Sequence, residues 1–310
     1  MDPLSSVLSL LKPRNYLSAG LDAGGDWAIQ FPDQHDGIKT GAVVSGSCWL
    51  EVGGVSDPVH LEAGDCFLLP SGRPFRLASD LAIVPVEARE VFASTAGGSV
   101  ARLNGGGAFS VVSNRFGLSG RQSGFLLGML PPIVHIRDAK GRAALFWSIQ
   151  RIMAELRDPQ PGGFLIVDHL AHLILVEALR LHLADAATAR IGWLFALADE
   201  QISRALQAIH GNPERGWTVQ DLAKLAGMSR SAFALKFKTM VGTSPMGYLA
   251  HWRMALASHR FTTSRDPIST VAQSLGYESE AAFSTAFKRI MGHAPRRYSR
   301  EAVSCLRTRA

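Results

Sequence analysis

The residues best suited to bind a polyanion lie in the last third of the chain. Residues 199–310 hold 16 Lys and Arg against 8 Asp and Glu, whereas residues 1–198 hold 16 against 18. A basic surface confined to one region indicates a polyanionic partner for that region, the alternative being a merely solvated surface. Phosphate contacts are predicted for seven of its basic side chains, namely Arg230, Lys236, Lys238, Arg253, Lys288, Arg296 and Arg297.

The same region contains a segment that occurs twice. Ser229, Phe233, Phe237, Lys238, Gly242, Pro245 and Tyr248 recur 50 residues later as Ser279, Phe283, Phe287, Lys288, Gly292, Pro295 and Tyr298. Just upstream, Val219, Leu222, Ala223, Ala226 and Gly227 recur after 49 residues as Ile268, Val271, Ala272, Leu275 and Gly276. Each copy has the pattern of a helix, a sharp turn at a glycine and a second helix. Two helix-turn-helix copies predict a protein that reads DNA with two helices at once.

The phenylalanines of each copy determine which side of its second helix is buried. On a helical wheel the side opposite Phe233 and Phe237 carries Ser231, Leu235 and Lys238, with Ala234 at the margin. In the second copy the outward positions are Ala281, Ser284, Thr285 and Lys288, with Glu280 on the flank. A helix from Ser244-Pro245 to about Phe261, roughly 24 Å long, is predicted to hold the two reading helices about one DNA turn apart.

These residues give the last third a clear resemblance. Residues 199–300 resemble the DNA-binding domain of the AraC-type transcriptional regulators, through Gly227-Met228-Ser229, Ser244-Pro245, Leu275-Gly276-Tyr277 and the repeated Phe, Lys, Gly, Pro and Tyr positions. The resemblance implies that bases are read by Ser231, Ala234 and Leu235 from the first helix and by Glu280, Ala281, Ser284 and Thr285 from the second.

The first reading helix departs from the family pattern. Ala234 and Leu235 stand where the family often places long polar side chains. Such residues can contact thymine methyl groups, but they cannot form bidentate hydrogen bonds with a base. Recognition by this helix is therefore expected to depend more on DNA shape.

The first part of the chain reads as short strands separated by turn residues between Trp27 and Val86. This pattern favours a double-sheet barrel. The runs 43–50 and 61–72 resemble the cupin sensor domain found upstream of many AraC-type readers, a likeness that extends over most of residues 1–195.

Cupin enzymes hold a metal with histidines and a glutamate from two motifs. Here residues 38–46 contain no histidine, and Phe75 stands where the ligand histidine of the second motif would be. Losing these ligands removes the site, so no metal, no cofactor and no catalytic residue is expected. The barrel interior could instead enclose a small organic effector, with Trp49, Phe67 and Phe75 lining either that pocket or simply the core.

Two helices are predicted after the barrel, over residues 143–156 and 164–183. The resemblance implies that two subunits associate through this pair, although the residues alone would also allow it to pack on its own barrel. His169 and His172 are spaced as metal ligands can be, but without further ligands an ordinary hydrogen-bonded role is expected. Residues 184–189 are the best candidate for a linker.

Targeting signals are not recognised. The N-terminus has no basic region typical of a signal peptide, and the most apolar stretch, residues 164–183, is interrupted by charged residues. Of the three cysteines, Cys48 and Cys66 lie in apolar runs and are expected to be buried, while Cys305 stands near the C-terminus. A cytoplasmic protein with no membrane partner is expected.

The sequence as a whole predicts an α+β multidomain protein: a cupin-like double-stranded β-barrel with a helical pair, followed by an all-α tandem helix-turn-helix domain. The expected boundaries are 1–139 for the sensor barrel, 140–190 for the dimerisation and linker helices, and 191–310 for the DNA-binding domain. The predicted function is a sequence-specific, effector-responsive transcriptional regulator, either an activator or a repressor, that would also contact RNA polymerase. Its partners are double-stranded DNA, the effector and a second copy of the chain. The alternatives are a constitutive regulator whose barrel only supports dimerisation, and a cupin enzyme fused to a DNA-binding domain.

Overall fold

The computed structural model of the protein describes residues 2–33, 37–93, 99–118, 130–137, 139–184, 193–264 and 266–298. Its contacts divide the chain into two compact units. The sheet unit contains all the described strands and the two long helices that follow them. The helical unit contains a short N-terminal helix together with the described helices from residue 193 onwards. The domain boundaries predicted at residues 139 and 190 stay predictions. The contacts group the two helices after the strands with the strands themselves.

The sheet unit is built from eleven described strands. Their bounds are β1 Arg14–Ala23, β2 Ala28–Phe31, β3 Ile38–Ser45, β4 Ser47–Val52, β5 Val59–Glu62, β6 Cys66–Leu69, β7 Phe75–Ala78, β8 Val86–Glu87, β9 Val100–Leu103, β10 Phe109–Gly117 and β11 Val134–Ile136. One sheet has the order β11-β6-β3-β10-β1-β9 and the other the order β5-β4-β7-β2-β8. Most pairs are antiparallel, but β9 pairs with β1, and β8 with β2, in parallel. A short helix, α2 (Ala88–Val91), follows β8.

The core of this unit lies between the two sheets. In β4 the alternate residues Cys48, Leu50 and Val52 are buried, as expected for a strand with one face toward the core. They pack in one cluster with side chains of the other sheet such as Phe67 and Phe109. The fold class predicted from the sequence is confirmed for both parts of the chain.

Two long helices complete the sheet unit, α3 (Ala139–Arg157) and α4 (Gly163–Ala184). Each buries one face, with Ile149 and Ile152 inward on α3 and Ile174 and Leu175 inward on α4. Their other faces leave large apolar side chains exposed, namely Phe146 and Trp147 on α3 and Phe164, Leu165, Ile166 and Leu173 on α4.

The helical unit contains eight described helices. They are α1 Pro3–Leu11, α5 Trp193–Ala198, α6 Glu200–Gly211, α7 Val219–Leu225, α8 Arg230–Val241, α9 Pro245–Thr263, α10 Ile268–Ser274 and α11 Glu280–Met291. Helix α1 packs on α6 and α9 through Val7 and Leu11 and was not anticipated from the sequence. The signal was present: Asp2 caps the helix and Pro3 occupies its first turn. Within the described parts of the chain, no helix has the length and apolar character needed to cross a bilayer.

Candidate nucleic-acid interface

The first helix-turn-helix unit consists of α7, a four-residue turn and α8. Thr218 and Asp221 form a capping box, in which each side chain accepts a hydrogen bond from the other residue's backbone N–H at 3.1 Å. The turn passes through Gly227 at φ +66°, and the N–H of Met228 donates back to the carbonyl of Ala223 at 2.9 Å. This 6→1 bond closes α7 and sets the direction in which α8 departs.

The second unit, α10, its turn and α11, repeats this geometry. Gly276 has φ +75°, and the N–H of Tyr277 donates to the carbonyl of Ala272 at 3.1 Å. Pro267 precedes α10 as its N-cap residue and supplies no side-chain hydrogen bond, so the capping box of the first unit has no counterpart here.

Both reading helices, α8 and α11, are held in the same way. Ser229 and Ser279 cap them by accepting hydrogen bonds from the N–H groups three residues ahead, and Gly242 and Gly292 end them in the left-handed conformation. Their paired phenylalanines are fully buried, with ring centroids 5.6 Å apart in each unit. The inward side of each reading helix is therefore determined by its aromatic residues.

The residues predicted to read bases lie on the remaining sides of these helices. Leu235 is 70% exposed, and Ser231, Ala281 and Thr285 are also exposed. The other three predicted positions are partly covered, namely Ala234, Glu280 and Ser284. Glu280 lies 3.8 Å from Arg296, measured from Oε1 to Nη2. These side chains supply hydroxyls, one carboxylate and apolar surface, which are groups that can contact base edges in a major groove.

Two of the seven basic residues predicted to bind phosphate are partly buried and are held by contacts within the protein. The ammonium of Lys236 lies 2.6 Å from Asp199 Oδ2 and donates to Gln201 Oε1 at 2.9 Å. Arg253 donates to two backbone carbonyls, those of Pro213 at 2.7 Å and Arg215 at 2.9 Å. The side chains of the other five are exposed: Arg230, Lys238, Lys288, Arg296 and Arg297.

Comparison with known proteins agrees with this geometry. Residues 2–184 match a family model described as Cupin, and residues 222–301 match one described as Helix-turn-helix domain. A Streptomyces lividans protein named as an AraC-like transcription regulator is 43% identical over 299 residues, 96% of this chain and 98% of that protein. A Streptomyces antibioticus protein with the same name is 40% identical over 304 residues, 98% of this chain and 100% of that protein.

The chain belongs to the AraC-type transcription regulators. It is a transcription regulator with a helix-turn-helix DNA-binding domain, as the sequence predicted. Among solved structures it is similar to the DNA-binding domain of AdpA in complex with a target DNA, at 28% identity and a TM-score of 0.32, over 33% of this chain and 92% of that one.

The electrostatics of this AraC-type domain are set by burial as much as by charge. Burial lowers the pKa of His210 to about 3, against a smaller opposing effect of Asp2. The imidazole is stacked on Trp252, with centroids 4.0 Å apart, and its Nε2 is 2.7 Å from the hydroxyl of Tyr248. Burial alone would raise the pKa of Asp199, but hydrogen bonds from Lys236 and the N–H of Ile202 bring it below its usual value.

The residues predicted for an effector pocket do not converge. Phe67 and Phe75 lie in the core between the sheets, whereas Trp49 lies on the outer face of β4 and packs edge-on against His60. The prediction that Trp49 shares a pocket with the two phenylalanines is therefore corrected, because successive side chains of a strand point to opposite faces.

Two cavities of the sheet unit lie elsewhere. One, of about 290 Å³, is lined largely by apolar residues of β3, the β5–β6 turn and α3, namely Val43, Val44, Ala63, Gly64, Phe146 and Ile149. The other, of about 310 Å³, lies beside the start of β1 and includes Glu155, whose carboxylate is bound by Arg151. Among the described residues, no group of three or more His, Cys, Asp or Glu side chains is arranged to hold a metal ion.

Several contacts of this AraC-type domain could not be anticipated from motifs. They are the Lys236–Asp199 ion pair, the Arg253 hydrogen bonds and the buried His210–Tyr248 pair. Each joins segments some 35 to 40 residues apart. The only sequence signal was that Lys236 and Arg253 are long cations flanked by buried residues at helical spacing.

Proposed function

We propose that this regulator reads two neighbouring segments of one DNA face, one with each helix-turn-helix unit. The observation that supports this most is the equivalence of the two units, which share caps, turn geometry and paired buried phenylalanines. Such equivalence would be expected if each reading helix enters a major groove in the same orientation. The proposed base-reading residues are Ser231, Ala234 and Leu235 in one unit and Glu280, Ala281, Ser284 and Thr285 in the other.

Selection of bound DNA from a random library tests this proposal. We expect two conserved sequence elements with a fixed separation near one helical turn, about 10 base pairs. Repeating the binding at several salt concentrations counts phosphate contacts, since each contributes about 0.9 to the slope of log K against log salt. A single conserved element would show that only one unit reads bases, and the absence of any enriched sequence would contradict the proposal.

The sheet unit is proposed to sense a small apolar effector. The cavity between β3, the β5–β6 turn and α3 supports this, because pockets that bind organic ligands are concave and mainly apolar. A ligand bound there would raise the melting temperature in a thermal-shift screen, by mass action. Ala63→Phe should abolish the shift by filling the cavity, while Ala82→Phe, an exposed alanine outside the cavity, should preserve it. A screen without any stabilising compound would favour constitutive regulation.

A second copy of the chain is the proposed partner of the exposed apolar faces of α3 and α4. Trp147 and Leu173 are among six large apolar side chains that these helices expose. Analytical ultracentrifugation should show a dimer that Trp147→Glu or Leu173→Glu converts to a monomer. Val84→Glu, at an apolar residue with 85% exposure on neither helix, should leave the dimer intact. A monomeric parent protein would contradict this part of the proposal.

No catalytic activity is proposed. The segment 38–46 has no histidine, and the buried Phe75 occupies the position where cupin enzymes carry a ligand histidine. A stoichiometric transition metal in the purified protein would revive the cupin enzyme alternative. Contact with RNA polymerase and a cytoplasmic location are consistent with the relatives, which are named as transcription regulators. Binding of purified polymerase to the regulator–DNA complex would test the first of these.

A further inference from the structure

The turn of the second helix-turn-helix unit rests directly on a loop of the first. This loop, residues 212–217, connects α6 to α7. A Cβ placed on Gly276 would lie 1.9 Å from the carbonyl oxygen of Glu214 and 2.7 Å from its carbonyl carbon. Gly227 occupies the equivalent turn position of the first unit, and a Cβ there would meet nothing within 4 Å. The two turns therefore share a backbone conformation but differ in what they touch.

The loop is itself rigid. Trp217 is buried, and its indole N–H donates to the carbonyl of Asn212 at 2.9 Å. Its backbone N–H donates to the carbonyl of Arg215 at 2.7 Å, and the Arg215 guanidinium lies over the indole ring, 4.1 Å from its centroid. Because these contacts fix the conformation of the loop, a residue that packs against the loop is held in a defined position relative to the first unit.

Arg253, on the connecting helix α9, joins this loop to the second unit. Its Nε and Nη2 donate to the carbonyls of Pro213 and Arg215, which both belong to the loop of the first unit. The same guanidinium lies over the ring of Tyr277, 5.4 Å from its centroid, and Tyr277 packs edge-on against Phe283 of the second unit. One planar cation thus contacts both units, an arrangement that the point charge of a lysine could not reproduce.

We propose that Arg253 is a positioning residue, which together with the Gly276–Glu214 contact fixes the separation and angle of the two reading helices. The helix α9 alone provides a single connection between the units, about which they could twist. The contacts of Arg253 and Gly276 provide a second connection. This inference rests on the proposed function, in which both units bind one duplex, and it replaces a phosphate contact as the role of Arg253.

Binding to DNA of altered spacing tests the role of Arg253. One inserted base pair moves the second element by about 3.4 Å and rotates it by about 35°. We expect the parent protein to lose affinity steeply when one or two base pairs are inserted between its two selected elements. Arg253→Met should bind the original spacing about ten- to a hundredfold more weakly, because a loose second unit has a lower effective concentration, and its spacing preference should be flatter.

The same experiment distinguishes a phosphate contact. If Arg253→Met keeps the spacing preference of the parent and reduces the salt slope by about 0.9, the side chain contacts phosphate and the proposal is wrong. An unchanged spacing preference with an unchanged salt slope would also overturn it. Arg253→Lys should resemble Arg253→Met in its spacing profile, although it preserves the charge.

A measurement without DNA separates this inference from the proposed function. A variant that combines Leu235→Cys and Thr285→Cys would carry one spin label at each of two equivalent exposed positions of α8 and α11. Double electron–electron resonance spectroscopy would then measure the distance between the two helices. Cys48 and Cys66 are buried, and Cys305, which lies outside the described residues, would be replaced by serine. We expect a narrow distance distribution that broadens in Arg253→Met and in Gly276→Ala.

Gly227→Ala is the matched control for Gly276→Ala. Both substitutions place a Cβ on a residue with positive φ, but only the one at Gly276 meets the backbone of Glu214. The control should leave the distance distribution narrow, and a thermal melt would confirm that each variant is folded. Unchanged distributions in both Arg253→Met and Gly276→Ala would overturn the inference. A narrow parent distribution in a protein that selects no DNA would instead contradict the proposed function alone.

Discussion

The two helix-turn-helix units have the same apolar core but different polar contacts. In each unit a buried tyrosine packs edge-on against the second phenylalanine of the reading helix, with centroids 6.0 Å apart for Phe237–Tyr248 and 5.6 Å for Phe287–Tyr298. The hydroxyl of Tyr248 is paired with His210, whereas that of Tyr298 is paired with Ser258. The duplicated core thus preserves the fold of each unit, while the polar positions around it are where the units differ.

The differences follow a pattern. Two contacts of the first unit have no counterpart in the second. One is the Thr218–Asp221 capping box. The other is the ion pair between Lys236 and Asp199, because the residue that corresponds to Lys236 is Ala286. At the proposed base-reading positions the second unit instead carries three polar side chains, Glu280, Ser284 and Thr285, whereas the first carries Ser231 alone. We interpret the first unit as the more firmly anchored one and the second as the one that contributes more to base selection.

The largest expected effect comes from substitutions that disrupt the apolar core that both helix-turn-helix units have in common. Phe233→Ala and Phe283→Ala each remove a fully buried ring, and each should cost about 3–5 kcal/mol of unfolding free energy. Because the rings belong to different units, hydrogen exchange should accelerate mainly in α8 for the first variant and in α11 for the second. Normal DNA affinity in a well-folded double variant would contradict the assignment of these rings to the core.

Low pH should destabilise the first unit through His210, which has no counterpart in the contact between Ser258 and Tyr298. Burial holds the folded pKa of His210 near 3, below the usual value of about 6.5, so the folded state favours the neutral imidazole. The contribution of His210 to the stability of the first unit is therefore fully present above about pH 6.5. It is lost as the pH drops toward 3, by up to about 1.4 kcal/mol per pH unit. Ser258, the corresponding partner of Tyr298, does not titrate, so the loss that arises from the tyrosine's partner is confined to the first unit.

Hydrogen exchange of α8 and α11 between pH 7 and pH 5, corrected for intrinsic rates, measures this difference. His210→Gln retains a hydrogen-bonding side chain near Tyr248 but cannot titrate, so it should flatten the pH dependence of α8 and leave that of α11 unchanged. If both helices lose protection equally in the parent protein, the acid sensitivity does not originate at His210.

Local signals explain how much of this comparison the sequence could predict. The serine caps, the Thr218–Asp221 box and the glycine turns act within a few residues, and the paired phenylalanines recur at helical spacing. The exposed faces of the reading helices could be deduced because the aromatic residues fix the buried side. The partners of Arg253 and Lys236 could not be deduced, because they depend on how distant segments pack. Trp49 was misplaced because Cys48, Leu50 and Val52 are the buried residues of β4, so the side chain between the first two points to the opposite face.

Base selection should be sharper in the second unit. A glutamate at position 280 can accept a hydrogen bond from a cytosine amino group, so Glu280→Ala should relax the preference at one base position by about 1–3 kcal/mol. Leu235→Ala should change discrimination by less than about 1 kcal/mol, because a leucine offers a thymine methyl only a small apolar contact. Selected sequences of each variant at one salt concentration give both values.

Glu278→Ala is the matched control, since it also removes one carboxylate and lies outside the reading helix. It should raise affinity for all sequences without altering the preferred base. Should Leu235→Ala relax the selected sequence more than Glu280→Ala does, the two units have the opposite roles in base selection.

The smallest expected effect concerns three lysines of the reading helices. Lys238 and Lys288 are exposed equivalents, so each alanine variant should reduce the salt slope of DNA binding by about 0.9. Lys236 and Asp199 are only 30% and 23% exposed and lie 2.6 Å apart, so Lys236→Ala should leave the slope unchanged and cost about 1 kcal/mol of unfolding free energy. A slope reduced in Lys236→Ala as in Lys238→Ala would mean that the ion pair opens on DNA. Lys236 would then exchange its ion pair with Asp199 for a phosphate contact. The first unit would be the more firmly anchored one only in the absence of DNA.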